Sequence, residues 1–222
     1  MATAPTHPDE FNRLRSLAEH NLLDTQPEEV YDDITRLAAE ICGTPIAAIN
    51  LIAGDRHWSK SAYGFAAGSM PLEQSFCVHT ILNPDEATVV SDLRYDERFY
   101  DNPLTVNKPN LAFYAGVAVK DAQGLPLGTL CVLDTRPREL PELKLESLKA
   151  LAKLVETHLQ LRRTQMMLEL KQKQVSEAQP ILQRLIDASN ISLDKAPISA
   201  LSMSYLRNEV VSLQRLLALP PR

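Results

Sequence analysis

From Pro141 to its C-terminus the chain contains no glycine, whereas all seven of its glycines fall between Gly43 and Gly128. Glycine supplies the tight turns and left-handed backbone that short, reversing elements need, so the first stretch is built of strands, turns and short helices and the second of helix. In the second stretch Leu154, Leu161, Leu168, Val175 and Leu182 recur every seven residues, while His158, Gln165, Gln172 and Gln179 hold the positions that would complete the seam with polar groups. A sevenfold recurrence draws one apolar stripe along a helix. That stripe either packs on the chain's own domain or pairs with a second copy; we expect a homodimer through helix 141–179. Pro180 is expected to kink or restart the helix and Pro197 to open another, so that a short helical tail follows in which residues 178–217 form a helical hairpin or a pair of short helices.

Ahead of Pro141 the hydrophobic period changes several times. "EFNRLRSLAEHNLL" places Phe11, Leu14, Leu17, Ala18 and Leu22 at helical spacing. "DTQPEE" interrupts it, with Asp24 or Thr25 as a candidate cap for a second helix that runs through Val30, Ile34, Leu37, Ala38 and Ile41 and stops at Gly43. "PIAAINLIA" is a continuous apolar run, read as a buried strand, and "DRHWSKSAYG" is its hairpin partner. "LEQSFCVHTIL" reads as a short helix ending at Asn83-Pro84, because a proline disfavours helical geometry in its predecessor. The strand "ATVV" and a long polar connection lead to a second hairpin, "LAFYAGVAVKD" and "LPLGTLCVLD", about Gln123-Gly124. The layout is α+β: an antiparallel sheet with helices packed on one face, then a long C-terminal helix. The other face has only the short helix and the long connection to cover it, and a small-molecule cavity is expected between that cover and the sheet.

The 222 residues carry a net charge of -5 with both signs scattered, so nothing favours a nucleic-acid partner. No apolar run approaches the roughly 20 residues that cross a bilayer, and "MATAPTHPDEFNR" has none of the marks of a signal peptide. Three scattered cysteines, none in a C-x-x-C pair, argue against a disulfide framework and for a reducing, cytoplasmic setting.

The chemically suggestive stretch is "SFCVHTIL". On a helix, residues two apart point about 200° from one another, so Cys77 and His79 do not form a nucleophile–base pair or a shared metal site by themselves. Cys77 is either an apolar filler or a cavity contact, and His79 either bonds backbone or faces the cavity. Cys131 lies near Cys77 if its face of the strand looks toward the cover, and two thiols meeting in a cavity would suggest redox sensing. In "DLRYDERFYDNP", Asp92, Asp96, Arg98, Asp101 and Asn102 either fix the loop by bonding its own backbone or, through Arg98, clamp an anionic ligand. Phe113 and Tyr114 point to opposite faces, so one of them faces the cavity. Trp58 is expected to pack. The candidate ligand set is Phe76, Cys77, His79, Asp92, Arg98, Asn102, Phe113, Tyr114 and Cys131, with no catalytic residue, metal or cofactor expected.

The strings "LLDTQPEEVYDDITRLAAEICGTPIAAINLI", "DRHWSKSAYG", "SFCVHTI", "VSDLRYDERFYDNPLTV", "LAFYAGVAV" and "GTLCVLDTRPREL" resemble, in order, the GAF family of sensory domains. The closer likeness is to the bacterial subgroup found ahead of histidine kinase or diguanylate cyclase outputs. The resemblance implies a GAF domain over 10–155 and a helical or coiled-coil region over 156–222. It also implies a ligand cavity between the sheet and the segment joining the short helix to the last hairpin. No GG(D/E)EF-like string or nucleotide-binding glycine box follows, and His158 lacks the acidic neighbour of a phosphoacceptor. The expectation is therefore a non-enzymatic sensor. It would bind an unidentified small molecule or partner protein and act on a separate signalling output protein. The alternative is a GAF-fold redox enzyme, like the reductases of free methionine sulfoxide, or a thiol sensor, using Cys77 and Cys131. A bilin photoreceptor is disfavoured because "DNPLTVNKPN" holds no cysteine.

Overall fold

The computed structural model describes residues 4–194, with side chains as far as Leu185, and residues 207, 208, 211, 212 and 215. The described residues divide into two compact units between Leu161 and Arg162. The first opens with helices α1 (Glu10–His20) and α2 (Glu29–Cys42), as the apolar spacing predicts. Gly43 ends α2 at φ 69°, and Thr44 donates its amide to Ala39. This is a left-handed stop that a side chain at that position would strain.

Six strands follow: β1 (Ile46–Ile52), β2 (His57–Tyr63), β3 (Ser69–Met70), β4 (Thr88–Val90), β5 (Phe113–Lys120) and β6 (Pro126–Asp134). They form one antiparallel sheet in the order β3-β2-β1-β6-β5-β4. The β5–β6 turn is closed by the Asp121 carboxylate, which accepts from the amides of Gln123 and Leu125. Between the strands lie two single helical turns, α3 (Cys77–Thr80) and α4 (Pro103–Val106).

Alternation along the strands sorts the side chains into two cores. On one face Ile49, Leu51, Phe113, Leu130 and Val132 share a core with Leu17 of α1, with Ile34 and Ala38 of α2, and with Leu148, Ala152, Val155 and Leu159 of the long helix α5 (Glu142–Asp194). On the other face Ala48, Ile52, Tyr114, Cys131 and Leu133 meet Phe76, Cys77 and Ile81 around α3, and Leu93, Phe99 and Leu111 of the long connection. Trp58 packs at the edge of the first core. Helix α5 lies beside α2: Lys144 donates to the Cys42 carbonyl at 3.1 Å, and the half-buried His158 meets the Tyr31 ring edge-on.

Three expectations change. Neither Asp24 nor Thr25 caps α2, whose N-cap is Glu28 without a side-chain bond. Thr25 turns instead to the buried Lys60. Pro180 does not restart α5, which is helical from Glu142 to Asp194. Thirdly, "DNPLTVNKPN" holds a helical turn: Asn102 caps α4 by accepting from the Leu104 amide at 2.9 Å, with Pro103 in the first turn. Pro197 lies outside the described residues. Among the described residues no helix is long and apolar enough to cross a membrane.

Lys60 holds the α1–α2 connection to the sheet. Its side chain is 1% exposed, and the ammonium donates to Thr25 Oγ1 at 2.7 Å, the Gln26 carbonyl at 2.8 Å and Glu28 Oε1 at 2.6 Å. Lys60→Ala removes a buried donor shared by three acceptors, so it should destabilise the fold by about 2–4 kcal/mol. Urea unfolding would register this as a lower midpoint at unchanged slope.

Candidate functional site

Between the second face of the sheet and its cover lies a cavity of about 400 Å³, inside the range of small-molecule sites. Its walls are mostly apolar: Ile46, Phe65, Met70, Phe76, Leu104, Leu111 and Leu133. Polar groups gather at Asn50, His57, Ser75, Cys77, Tyr114 and Cys131.

The polar part is one connected arrangement. Asn50, from the middle of β1, directs its amide nitrogen at both sulfurs, 3.5 Å from Cys77 Sγ and 3.3 Å from Cys131 Sγ. Its carbonyl oxygen accepts from Ser59 at 2.8 Å, which fixes the orientation of the amide. The Tyr114 hydroxyl sits 2.8 Å from Thr80 Oγ1 and 3.6 Å from Cys77 Sγ. The Tyr114 ring lies over Gly116: a Cβ there would stand 2.1 Å from the phenol oxygen, so this posture requires glycine. His57 Nδ1 and Ser75 Oγ are 2.6 Å apart. The buried Thr129 hydroxyl has no conventional hydrogen-bond partner and lies beside both sulfurs.

These contacts separate the two thiols electrostatically. Burial raises Cys77, but the Cys131 thiol, the nearby His57 and the Thr129 and Tyr114 hydroxyls more than offset it, and the group falls well below the ordinary thiol range. Cys131 is pushed well above that range because it bonds toward Cys77 and is itself buried. Of the two neighbouring thiols, Cys77 is therefore the one whose anion the surrounding groups favour. Burial also raises Tyr114 and lowers His57.

Of the residues singled out in the sequence, Phe76, Cys77, Tyr114 and Cys131 line this cavity. Phe113 does not; it lies in the core under the helices, on the opposite face from Tyr114. His79 packs edge-on against Phe99, with ring centroids 4.9 Å apart. It lines a separate surface depression with Arg98 and Asn102. Arg98 is already engaged bidentately by Asp96 at 2.9 and 2.7 Å, lies over Phe99, and holds the Asp96 carboxyl below its usual range. Asp92 caps its own turn and pairs with Arg94. Asn102, besides capping α4, donates to the Gln74 carbonyl at 3.2 Å. These polar residues therefore fix the cover. The sequence reading missed Asn50 and His57, although Asn50 is the one polar side chain in "PIAAINLIA" and carried a signal on that account.

The GAF domain family profile matches residues 26–159. A curated relative, a cyclic di-GMP phosphodiesterase of Pseudomonas aeruginosa, is 36% identical over 156 residues, covering 70% of this chain and 26% of that protein. The chain thus spans about a quarter of the relative's length. Among solved structures, the GAF domain of the Acinetobacter phosphoenolpyruvate-protein phosphotransferase superposes with a TM-score of 0.53 at 16% identity, over 72% of this chain and 97% of that one. The expectation of a non-enzymatic sensor is contradicted by the first of these, since a curated relative that matches this chain is named as an enzyme.

The histidines give a pH signature. His57 and His79 are both held below their ordinary value of 6.5, chiefly by burial. The unfolded chain therefore binds more protons than the folded one between the lowered and ordinary values. Stability present above 6.5 should be lost as pH falls through the lowered values. Urea midpoints taken from about pH 8 to about pH 5 should decline, and less steeply in His57→Gln, which keeps a polar atom for Ser75. An equal decline in both proteins would remove His57 as a cause.

Proposed function

This chain belongs to the GAF domain family, sensory and regulatory modules, and on that premise we propose that it binds a small, largely apolar molecule in the cavity over β1, β5 and β6. We propose further that residues 10–155 are the sensing domain, and that 156–222 pass the signal on through a dimeric helix. The carrying observation is that Asn50, His57, Cys77, Tyr114 and Cys131 line one otherwise apolar cavity. Apolar walls supply affinity and a few fixed polar groups supply orientation. The output consistent with the named relative is cyclic di-GMP hydrolysis, with this chain acting as the regulatory module of that activity.

The second copy is supported by the surface of α5. Leu148, Ala152, Val155 and Leu159 are buried against the sheet. Leu154 and Leu161 stand about 100–180° away around the axis and are 43% and 51% exposed. Leu168, Val175 and Leu182, which continue the sevenfold spacing, are 48–57% exposed. Leu37 and Ile41 add exposed apolar surface on α2. Such a repeat is the pattern that a second identical helix covers.

Binding of 1-anilinonaphthalene-8-sulfonate to the full chain tests the cavity. Leu104→Trp, which fills it from one wall, should weaken that binding by about tenfold or more; unchanged binding would place the probe elsewhere and remove this support. Leu161→Glu with Leu168→Glu should halve the light-scattering mass while leaving the unfolding midpoint of the first unit within about 0.5 kcal/mol, because both side chains are exposed in the single chain. A mass unaffected by the pair, or monomeric in the parent, overturns the dimer.

A further inference from the structure

Two features of the cavity are not needed merely to hold an apolar guest: its cysteines converge on one amide, and a histidine stands beside one of them. We propose that Cys77 and Cys131 form a two-electron redox couple, in which Cys77 is oxidised by a small organic hydroperoxide held in the cavity and Cys131 closes the disulfide. The inference rests on the reading of this cavity as the ligand site, and gives that ligand a chemical class.

The geometry carries it in three steps. Both cysteines line the same cavity, so a molecule within it reaches them without crossing the core. Both sulfurs lie within hydrogen-bonding reach of Asn50 Nδ2, at 3.5 and 3.3 Å, so they are no further apart than the sum of those distances. The groups around Cys77 are donors: the Asn50 amide, the Tyr114 phenol at 3.6 Å and the otherwise unpartnered Thr129 hydroxyl. Donors converging on a sulfur stabilise its anion, the nucleophilic form of a thiol. Cys42 is the internal contrast. It is buried and free like the others, but it lies in the core under the helices, away from the cavity, and burial raises its thiol.

The chemistry balances as follows. The Cys77 sulfur attacks the terminal oxygen of the hydroperoxide; an S–O bond forms, the O–O bond breaks, and the organic fragment leaves as its alcohol with the proton given up by the Cys77 thiol. The Cys131 sulfur then attacks Cys77. The S–S bond forms, the S–O bond breaks, and hydroxide leaves as water with the Cys131 proton. Two thiols lose two electrons and the peroxide gains them. The apolar walls at Phe76, Leu104, Leu111 and Leu133 select an organic hydroperoxide over a more polar oxidant. The resulting bond ties α3, in the cover, to β6, in the middle of the sheet. The redox state is thereby converted into a constraint on the cover.

The full, reduced chain is treated with equimolar cumene hydroperoxide, quenched, denatured and mapped without reduction. The expected result is one linked Cys77–Cys131 peptide, reversed by dithiothreitol, with the Cys77 thiol lost about tenfold or more faster than Cys42. Cys131→Ala should stop at a dimedone-reactive Cys77, and Cys77→Ala should leave Cys131 reduced. Cys42 reacting as fast as Cys77, or Cys131 oxidising without Cys77, overturns the proposal. If the parent still binds the anilinonaphthalene probe but loses no cavity thiol, the redox couple alone falls. If it does neither, the cavity reading falls with it.

Discussion

The central strands of this sheet are buried on both faces, and that constraint shapes everything built around them. Along β6 all nine residues from Pro126 to Asp134 are buried, and β1 and β5 are nearly so. A strand in that position has no solvent side to which a polar group can be assigned, so any partner for a polar residue within it comes from inside, and the Thr129 hydroxyl has only the two sulfurs beside it. Asn50 does so through Ser59 and the two sulfurs. The two faces are covered by very different means: one by three helices, the other by the single turns α3 and α4 and the long connection around them. Continuous helices fill the space against a sheet. A cover made largely of loop satisfies its own backbone first, and a cavity is left beneath it.

That division explains which parts of the sequence were legible. The helices α1 and α2, the two hairpins and the glycine-free helix all follow from local period, and the structure has them where the periods put them. The cover was read less well. In "DLRYDERF" each aspartate accepts from the backbone amide and the guanidinium of the arginine two residues on. It is a purely local pairing, one of the two roles that the sequence left open for these groups, the other being an anion clamp through Arg98. The capping of α4 by Asn102 was equally local, and Asn-Pro was its signal. By contrast, the choice between Phe113 and Tyr114 was not open to local reasoning. Alternation establishes that they face apart, but only the positions of the two covers decide which face holds the cavity.

The central group of the site was hidden for a different reason. Cys77, Cys131, Asn50 and His57 come from α3, β6, β1 and β2, and the contact between them is set by strand order. Nothing within ten residues of Cys77 announces His57; the nearer histidine, His79, is turned away by helical geometry, as its spacing implied. Asn50 was the visible exception, a lone amide in an apolar strand. Such a residue is retained against its desolvation only where it has something to bond.

The two-faced strands also supply a physical route for the proposed signal. Cys131 and Leu133 face the cavity while Leu130 and Val132, their neighbours on β6, share a core with Leu148, Ala152, Val155 and Leu159 of α5. A displacement of β6 by a bound molecule would therefore be felt at once by the helix, since close-packed side chains transmit small shifts instead of absorbing them. Proximity alone does not make a signal, because a ligand shifts an equilibrium only by the difference in its affinity for two arrangements. The element with scope for two arrangements is the cover, held by the single turns α3 and α4, a few capping bonds and the thiol cluster. The sheet, bonded along its full width and packed on both faces, is the rigid part against which that cover can be pinned or released.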